Sequence, residues 1–160
     1  AFGVYCMSGG SSSVVNVDIS QKSLSRGQLN YGLNRLSYTR NEFIRADANH
    51  YLKQALVKDN RFDLIVLDPP SFSRYDGKTF SVKKDLAQLI ALAIKALNPG
   101  GFLFVSTNFS EVSYDNLEDM LRAADTTRRI EIVTRLGQDD DFPGSGLTRE
   151  SYLAALLVKL

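Results

Sequence analysis

The chain has 160 residues, of which 44% are hydrophobic and 23% charged, ordinary usage for one folded domain that excludes disorder, a collagen-like repeat or a disulfide scaffold. Nineteen basic against eighteen acidic residues leave a net charge of +1, so no global field draws the chain to nucleic acid or a membrane. No apolar run is long enough to span a bilayer, and the single cysteine, Cys6, has no partner for an internal disulfide, which points to a reducing cytoplasmic setting.

In chain order, Ala1-Phe2-Gly3-Val4-Tyr5 opens inside an element rather than before one. A serine- and glycine-rich loop (9–13) precedes the β-branched run Val14-Val15-Asn16-Val17-Asp18, which predicts a strand. Residues 21–34 predict a helix with Ser20 as its N-cap, although Gly27 and Gly32 weaken it. A short strand over 42–45 and a helix over 48–57 follow, the latter with Tyr51, Leu52, Ala55 and Leu56 on one face. The apolar run 62–67 predicts a central parallel strand covered on both faces. After Asp68-Pro69-Pro70-Ser71-Phe72-Ser73 a polar loop extends to about Phe80. Val82, Leu86, Leu89, Ile90, Ala93, Ile94 and Leu97 recur at helical spacing until Asn98-Pro99-Gly100-Gly101 ends the helix. Residues 102–106 predict another buried strand, and 114–124 a helix with Leu117, Met120 and Leu121 inward. The runs 129–136 and 152–160 lack a helical connection, so they are expected to lie antiparallel. The order defines an α/β fold: a doubly wound, mostly parallel sheet closed by an antiparallel C-terminal hairpin.

Ligands bind such sheets at the carboxyl ends of the strands, and three of these ends carry an aspartate. Asp18 can accept both hydroxyls of a ribose, or simply start a turn and assist the next helix. Asp47 can reach an adenine edge, or act as the N-cap of the helix from Ala48. Asp68-Pro69-Pro70 is more specific, because two prolines after a core strand forgo backbone pairing and fix φ. They present the Asp68 carboxylate and the Pro69 carbonyl as a rigid acceptor pair, suited to an exocyclic amine or an imino proton. Phe72 can stack on a planar base; the plainer alternative is a rigid turn without a ligand.

These residues resemble the class I S-adenosylmethionine-dependent methyltransferases, and more narrowly the ribosomal RNA large-subunit methyltransferases with an Asp-Pro-Pro-x-Phe motif. Ala1-Phe2-Gly3 is similar to the tail of the family's first, glycine-containing motif. Val17-Asp18-Ile19-Ser20 resembles the ribose-binding second motif, with Ile19 packing on adenine, and Ala46-Asp47-Ala48 the adenine-contacting third. Asp68-Pro69-Pro70-Ser71-Phe72 matches the fourth, Leu97-Asn98-Pro99-Gly100-Gly101 leads to the fifth strand, and Phe142-Pro143 with Glu150-Ser151-Tyr152-Leu153 resembles the closing hairpin.

The resemblance implies a Rossmann-like methyltransferase domain over 1–160 that binds S-adenosylmethionine through Phe2, Gly3, Asp18, Ile19, Ser20, Asp47, Ala48 and Asp68. Asp68, Pro69 and Pro70 would form the catalytic turn, and Ser71, Phe72, Asn108 and Phe109 would meet an RNA base, with no metal. Family members that make 5-methylcytosine carry a nucleophilic cysteine after the fifth strand, where this chain has Ser106-Thr107-Asn108-Phe109-Ser110. A guanine nitrogen is therefore favoured over cytosine C5, since Asn108-Phe109-Ser110 resembles the branch that methylates a guanine ring nitrogen. Against the amino-methylating pattern, Ser71 stands directly after the prolines and the aromatic Phe72 one place later.

The resemblance also implies that the chain starts within the first motif, with a further strand and an RNA-binding domain upstream. Cys6 is expected to be a small buried residue, and His50 a surface or half-buried one. Arg74, Lys78, Lys83 and Lys84 meet phosphates or form a solvated face, and Asp139-Asp140-Asp141 reads as a solvated loop. Two other classes compete: a nicotinamide-dependent oxidoreductase, for which Asp18 would hold a dinucleotide ribose, and a non-catalytic S-adenosylmethionine-binding module.

Overall fold

The computed structural model describes residues 1–75, 77–125, 130–137 and 153–160, and the chain divides into two units, Ala1–Gln54 and Ala55–Leu160. In the first unit, α1 (Phe2–Ser8) is followed by β1 (Asn16–Asp18), α2 (Gln21–Leu33), a 3-10 turn (Arg40–Glu42), β2 (Phe43–Arg45) and the start of α3 (Ala48–Val57). β1 and β2 pair in parallel from Asn16↔Phe43 to Asp18↔Arg45. α2 begins where its serine cap predicts, with Ser20 Oγ accepting from Ser23 N at 3.2 Å. β2 starts one residue later than expected because Glu42 is held in the preceding turn by a reciprocal bond with Thr39.

Packing explains Gly27 but not Gly32, where nothing lies within 4 Å of the position a Cβ would take. Gly27 is helical because Phe43 lies against it, with a ring carbon 2.9 Å from where a Cβ would stand. Phe43 in turn meets Tyr31 and Tyr38 edge-on, at ring separations of 5.1 and 5.0 Å. Tyr31 is buried, and its hydroxyl accepts from Asn16 Nδ2 at 3.3 Å, while the same amide donates to Glu42 O at 3.2 Å.

The second unit holds β3 (Phe62–Leu67), β4 (Phe72–Tyr75), β5 (Lys78–Ser81), α4 (Val82–Ala96), β6 (Leu97–Thr107), α5 (Tyr114–Ala124), β7 (Glu131–Leu136) and β8 (Ala154–Lys159). Four of these strands form one sheet in the order β3-β6-β8-β7, parallel between β3 and β6 and antiparallel elsewhere. The antiparallel hairpin expected at the C-terminal end is present, and its second strand lies beside β6. α4 and α5 pack on this sheet and on each other, burying Val82, Leu86, Leu89, Ile90, Ala93 and Ile94 from α4 and Leu117 and Leu121 from α5. Met120 is half-buried.

Three expectations are corrected. The polar loop to Phe80 is an antiparallel hairpin, β4 with β5, paired from Phe72↔Ser81 to Tyr75↔Lys78. Its sequence alternates across a turn at Gly77, which takes φ +70. β3, expected to be covered on both faces, is not: among the described residues it pairs only with β6, Leu64 is 43% exposed, and only Leu67 of the strand is buried. β6 begins at Leu97, five residues early, because Gly100 at φ +77 lets the chain rejoin the ladder. Gly100 N donates to Leu160 O, and Leu160 N donates to Gly101 O, both at 2.9 Å. Among the described residues no helix is long and apolar enough to cross a membrane.

Candidate active site

Most of the residues expected to hold a cofactor lie in the first unit. The parallel pairing of β1 with β2 brings two strand ends side by side, so that Asp18 and Asp47 leave adjacent carboxyl ends. Asp18 Oδ1 accepts from Ser20 N at 2.7 Å, closing the turn into α2. Ser20 spends its hydroxyl on the helix cap, and the Ile19 carbonyl accepts from Arg45 Nε at 3.1 Å. Asp47 Oδ1 accepts from His50 N at 2.9 Å, the capping role weighed above for this residue, and Ala48 opens α3 half-buried. His50 itself is exposed.

Gly3 lies within α1 and is buried. A Cβ there would overlap Asn16 Oδ1 and stand 2.8 Å from Tyr31 Oη, so this glycine is required by close packing against β1 and α2. Phe2 is 44% exposed at the start of the same helix, and Cys6 is half-buried on it.

The second unit holds the Asp-Pro-Pro turn at the end of β3. β3 and β6 run in parallel with Leu67 opposite Val105, so Asp68 and Ser106 leave neighbouring positions. Ser106 Oγ donates to Asp68 Oδ1 at 2.7 Å. Asp68 is exposed and Ser106 is buried. Pro69 is half-buried and Pro70 exposed. Ser71 Oγ donates to Asn108 Oδ1 at 3.1 Å, which ties the two turns together, and Phe109 N donates to Thr107 Oγ1 at 3.2 Å, which braces the second internally.

Phe72 is 54% exposed on β4, with the Arg74 guanidinium 5.3 Å from its ring centre. Lys83 forms an ion pair with Glu111 at 2.7 Å; that hydrogen bond, with the carboxylate's charge, raises the ammonium pKa. Lys84 is exposed. The Lys78 side chain, Asp139-Asp140-Asp141, Phe142, Pro143 and Glu150-Ser151-Tyr152 lie outside the described residues.

Among the described residues no group of three or more His, Cys, Asp or Glu side chains is placed to hold a metal ion. Ser106 was missed as a site residue, although its signal was present. A hydroxyl ending an apolar run, on the strand that pairs in parallel with the one ending at Asp68, is placed to meet that carboxylate.

A Rossmann-like α/β fold with carboxylates at its strand ends defines the class. The sequence profile of the S-adenosylmethionine-dependent methyltransferase family matches residues 1–159, and the chain belongs to that family. Ribosomal RNA large subunit methyltransferase I of Aeromonas salmonicida is 32% identical over 161 residues, 99% of this chain and 41% of its own length. Bacillus subtilis YwbD, provisionally described as a ribosomal RNA large subunit methyltransferase, is 32% identical over 162 residues, again 99% and 41%. The chain thus spans about two fifths of the length of these relatives. Among solved structures, SMU.776 complexed with SAH, provisionally described as a methyltransferase, superposes with a TM-score of 0.89 at 23% identity, over 99% of this chain and 42% of that one.

The residues present fit the family's cofactor in kind. Asp18 retains an oxygen beyond the one that closes its turn, and a carboxylate is the acceptor that ribose hydroxyls need. Asn49 Oδ1, two residues past Asp47, is buried with no hydrogen-bond partner among the described residues. Family membership also sets aside the nicotinamide reading of Asp18.

Proposed function

We propose that this chain is the catalytic part of an RNA methyltransferase that modifies ribosomal RNA, with a guanine nitrogen as the acceptor. S-adenosylmethionine, when bound, supplies an electrophilic methyl group. Phe2, Gly3, Asp18, Ile19, Ser20, Asp47, Ala48 and Asp68 are the residues assigned to hold it, with Asp18 on the ribose. The names of the relatives, both ribosomal RNA large subunit methyltransferases, support an RNA acceptor.

The observation that carries the reading is the Asp68 turn. Two prolines fix the backbone after β3, and an exposed carboxylate stands at the strand end with one oxygen engaged by Ser106. The free oxygen of Asp68 and the Pro69 carbonyl accept hydrogen bonds from the base, Phe72 stacks on it, and Ser71, Asn108 and Phe109 shape the rim. Pro70 completes the rigid turn. Catalysis by these residues would be alignment: with the cofactor bound, they would orient the acceptor nitrogen toward its methyl group. They would then release the demethylated cofactor, and the nitrogen's proton would pass to water; no covalent bond to the protein is required.

The choice of nitrogen over carbon rests on Asn108. Attack on cytosine C5 needs a nucleophile to activate the ring. The segment after β6 carries Asn108 bonded to Ser71, and the one cysteine of the chain is Cys6 on α1.

The test is nucleoside mass spectrometry of ribosomal RNA from a strain lacking the protein, with complementation by the parent and by Asp68→Asn. Loss of one methylguanosine, restored by the parent alone, supports the reading. Loss of 5-methylcytidine instead refutes the choice of atom. An unchanged nucleoside profile refutes the choice of ribosomal RNA. A parent that binds the cofactor yet transfers no methyl to any RNA is the non-catalytic module.

A further inference from the structure

We propose that Ser106 is a positioning residue: its hydroxyl holds the Asp68 carboxylate in one orientation, so that the second oxygen is presented to the methyl acceptor. The inference rests on the reading above, in which Asp68 meets the base.

The geometry assigns the proton of this hydroxyl. Ser106 Oγ lies 2.7 Å from Asp68 Oδ1 and 3.5 Å from Leu67 O, so the bond to the carboxylate is the short one. A carboxylate can only accept, so Ser106 donates its single proton there. The neighbouring buried hydroxyl has a different task, since Thr107 Oγ1 accepts from Phe109 N and shapes the following turn. Two adjacent buried hydroxyls at the end of one strand therefore serve two separate turns.

The two partners differ in freedom. Asp68 is exposed on the last position before Pro69, where the backbone is fixed by proline but the side-chain torsions are not. An exposed carboxylate on such a turn would otherwise divide its time among rotamers. Ser106 is 3% exposed and lies in a strand paired on both sides, with β3 through Leu67↔Val105 and with β8 through Ser106↔Ala155. The rigid member anchors the mobile one, which is how a supporting shell keeps a reacting group in its productive orientation.

The test compares the parent, Ser106→Ala, Ser106→Thr, Asp68→Asn, Asp68→Ala and the double variant Ser106→Ala/Asp68→Ala, in the whole protein, on unmethylated ribosomal RNA. We expect Ser106→Ala to lower kcat about tenfold, with cofactor Kd and RNA KM within about twofold of the parent, as for a charge-assisted hydrogen bond felt in the aligned complex. Ser106→Thr, which keeps the hydroxyl, should recover most of the loss. In the Asp68→Ala background, which removes the acceptor altogether, Ser106→Ala should change kcat by less than about twofold, because a residue that acts through Asp68 has nothing left to act on.

Parental kcat for Ser106→Ala overturns the proposal. So does a loss of the same factor in both backgrounds, or a loss of cofactor binding that parallels a drop in melting temperature. If Asp68→Asn alone keeps the parental rate, the assignment of Asp68 fails and this inference falls with it. That outcome is distinct from a sensitive Asp68 with an indifferent Ser106, which refutes the positioning role only.

Discussion

Ser71 and Asn108 join the turn that leaves β3 to the turn that leaves β6, through one hydrogen bond of 3.1 Å between Ser71 Oγ and Asn108 Oδ1. Each of these residues was expected to touch the base; the structure adds that each holds the other. Shared support of this kind makes single substitutions redundant. A neutral hydrogen bond contributes about 1 kcal/mol, so Ser71→Ala and Asn108→Ala should each slow methyl transfer roughly fivefold. The double variant should be little worse than either single one. Single-turnover kinetics on the three proteins provides the measurement, and fully multiplicative losses would show that the two side chains act separately.

At Asp18, the two carboxylate oxygens can be tested apart. Oδ1 closes the turn to Ser20 N, and an asparagine can do the same with its single oxygen. Asp18→Asn should therefore leave thermal stability near that of the parent while weakening S-adenosylmethionine binding. The lost charged acceptor corresponds to about 1.5–3 kcal/mol, or roughly a 10- to 100-fold rise in Kd by calorimetry. Unchanged affinity in a folded protein would remove Asp18 from the cofactor site.

Gly3 gives a stability prediction of the opposite kind. An added methyl would overlap Asn16 Oδ1 and crowd the Tyr31 hydroxyl, displacing the amide that bridges Tyr31 and Glu42 O. Gly3→Ala should cost about 1–3 kcal/mol, the usual penalty for overpacking a closed site. It should lower the urea midpoint without changing the slope. Gly10, at φ +98 with open space around it, offers a contrast in which backbone strain alone is tested.

Alkaline pH should weaken the fold through Tyr51. Burial raises its hydroxyl pKa above the ordinary value of 10.0, so the folded chain keeps a proton that the unfolded chain releases. Stability therefore holds below that ordinary value and falls as pH rises from it toward the higher folded value. Lys83, raised by Glu111, acts in the same direction: its stabilisation is present below the unfolded pKa and is lost as pH climbs through the folded one. Urea midpoints at pH about 9 and about 11 for parent and Tyr51→Phe separate the two, since the phenylalanine variant should show the shallower decline. Equal declines would assign the alkaline loss elsewhere.

The legibility of this chain varied with the kind of signal each segment carries. α3 and α5 coincide with their predicted spans because caps and periodicity agree; in α5, Ser113 Oγ accepts from Asn116 N and Leu117 and Leu121 turn inward. β4 and β5 were missed although Phe72-Ser73-Arg74-Tyr75 and Lys78-Thr79-Phe80-Ser81 flank an Asp-Gly pair, a hairpin signal read instead as polarity. The two covered faces expected for β3 were an inference from hydrophobicity, which registers low polarity but not how much of the strand is buried. Asp68 was identifiable because two prolines mark it. Its partner Ser106 carries no local mark, and only the parallel register of β3 with β6 makes the pair visible.

The strand order β3-β6-β8-β7 has a consequence for synthesis of the chain. Among the described residues β8 is the last strand in chain order; it pairs with β6 on one side and with β7 on the other, and β7 pairs only with β8. A ribosome making this chain delivers β6 and β7 well before the strand that joins them. Until residues 154–159 emerge, β7 has no ladder to enter, and the edge of β6 that holds Ser106 opposite Ala155 stays open. Long-range pairings of this kind form slowly, so the nascent chain is expected to expose two adhesive strand edges until residues 154–159 have emerged and paired.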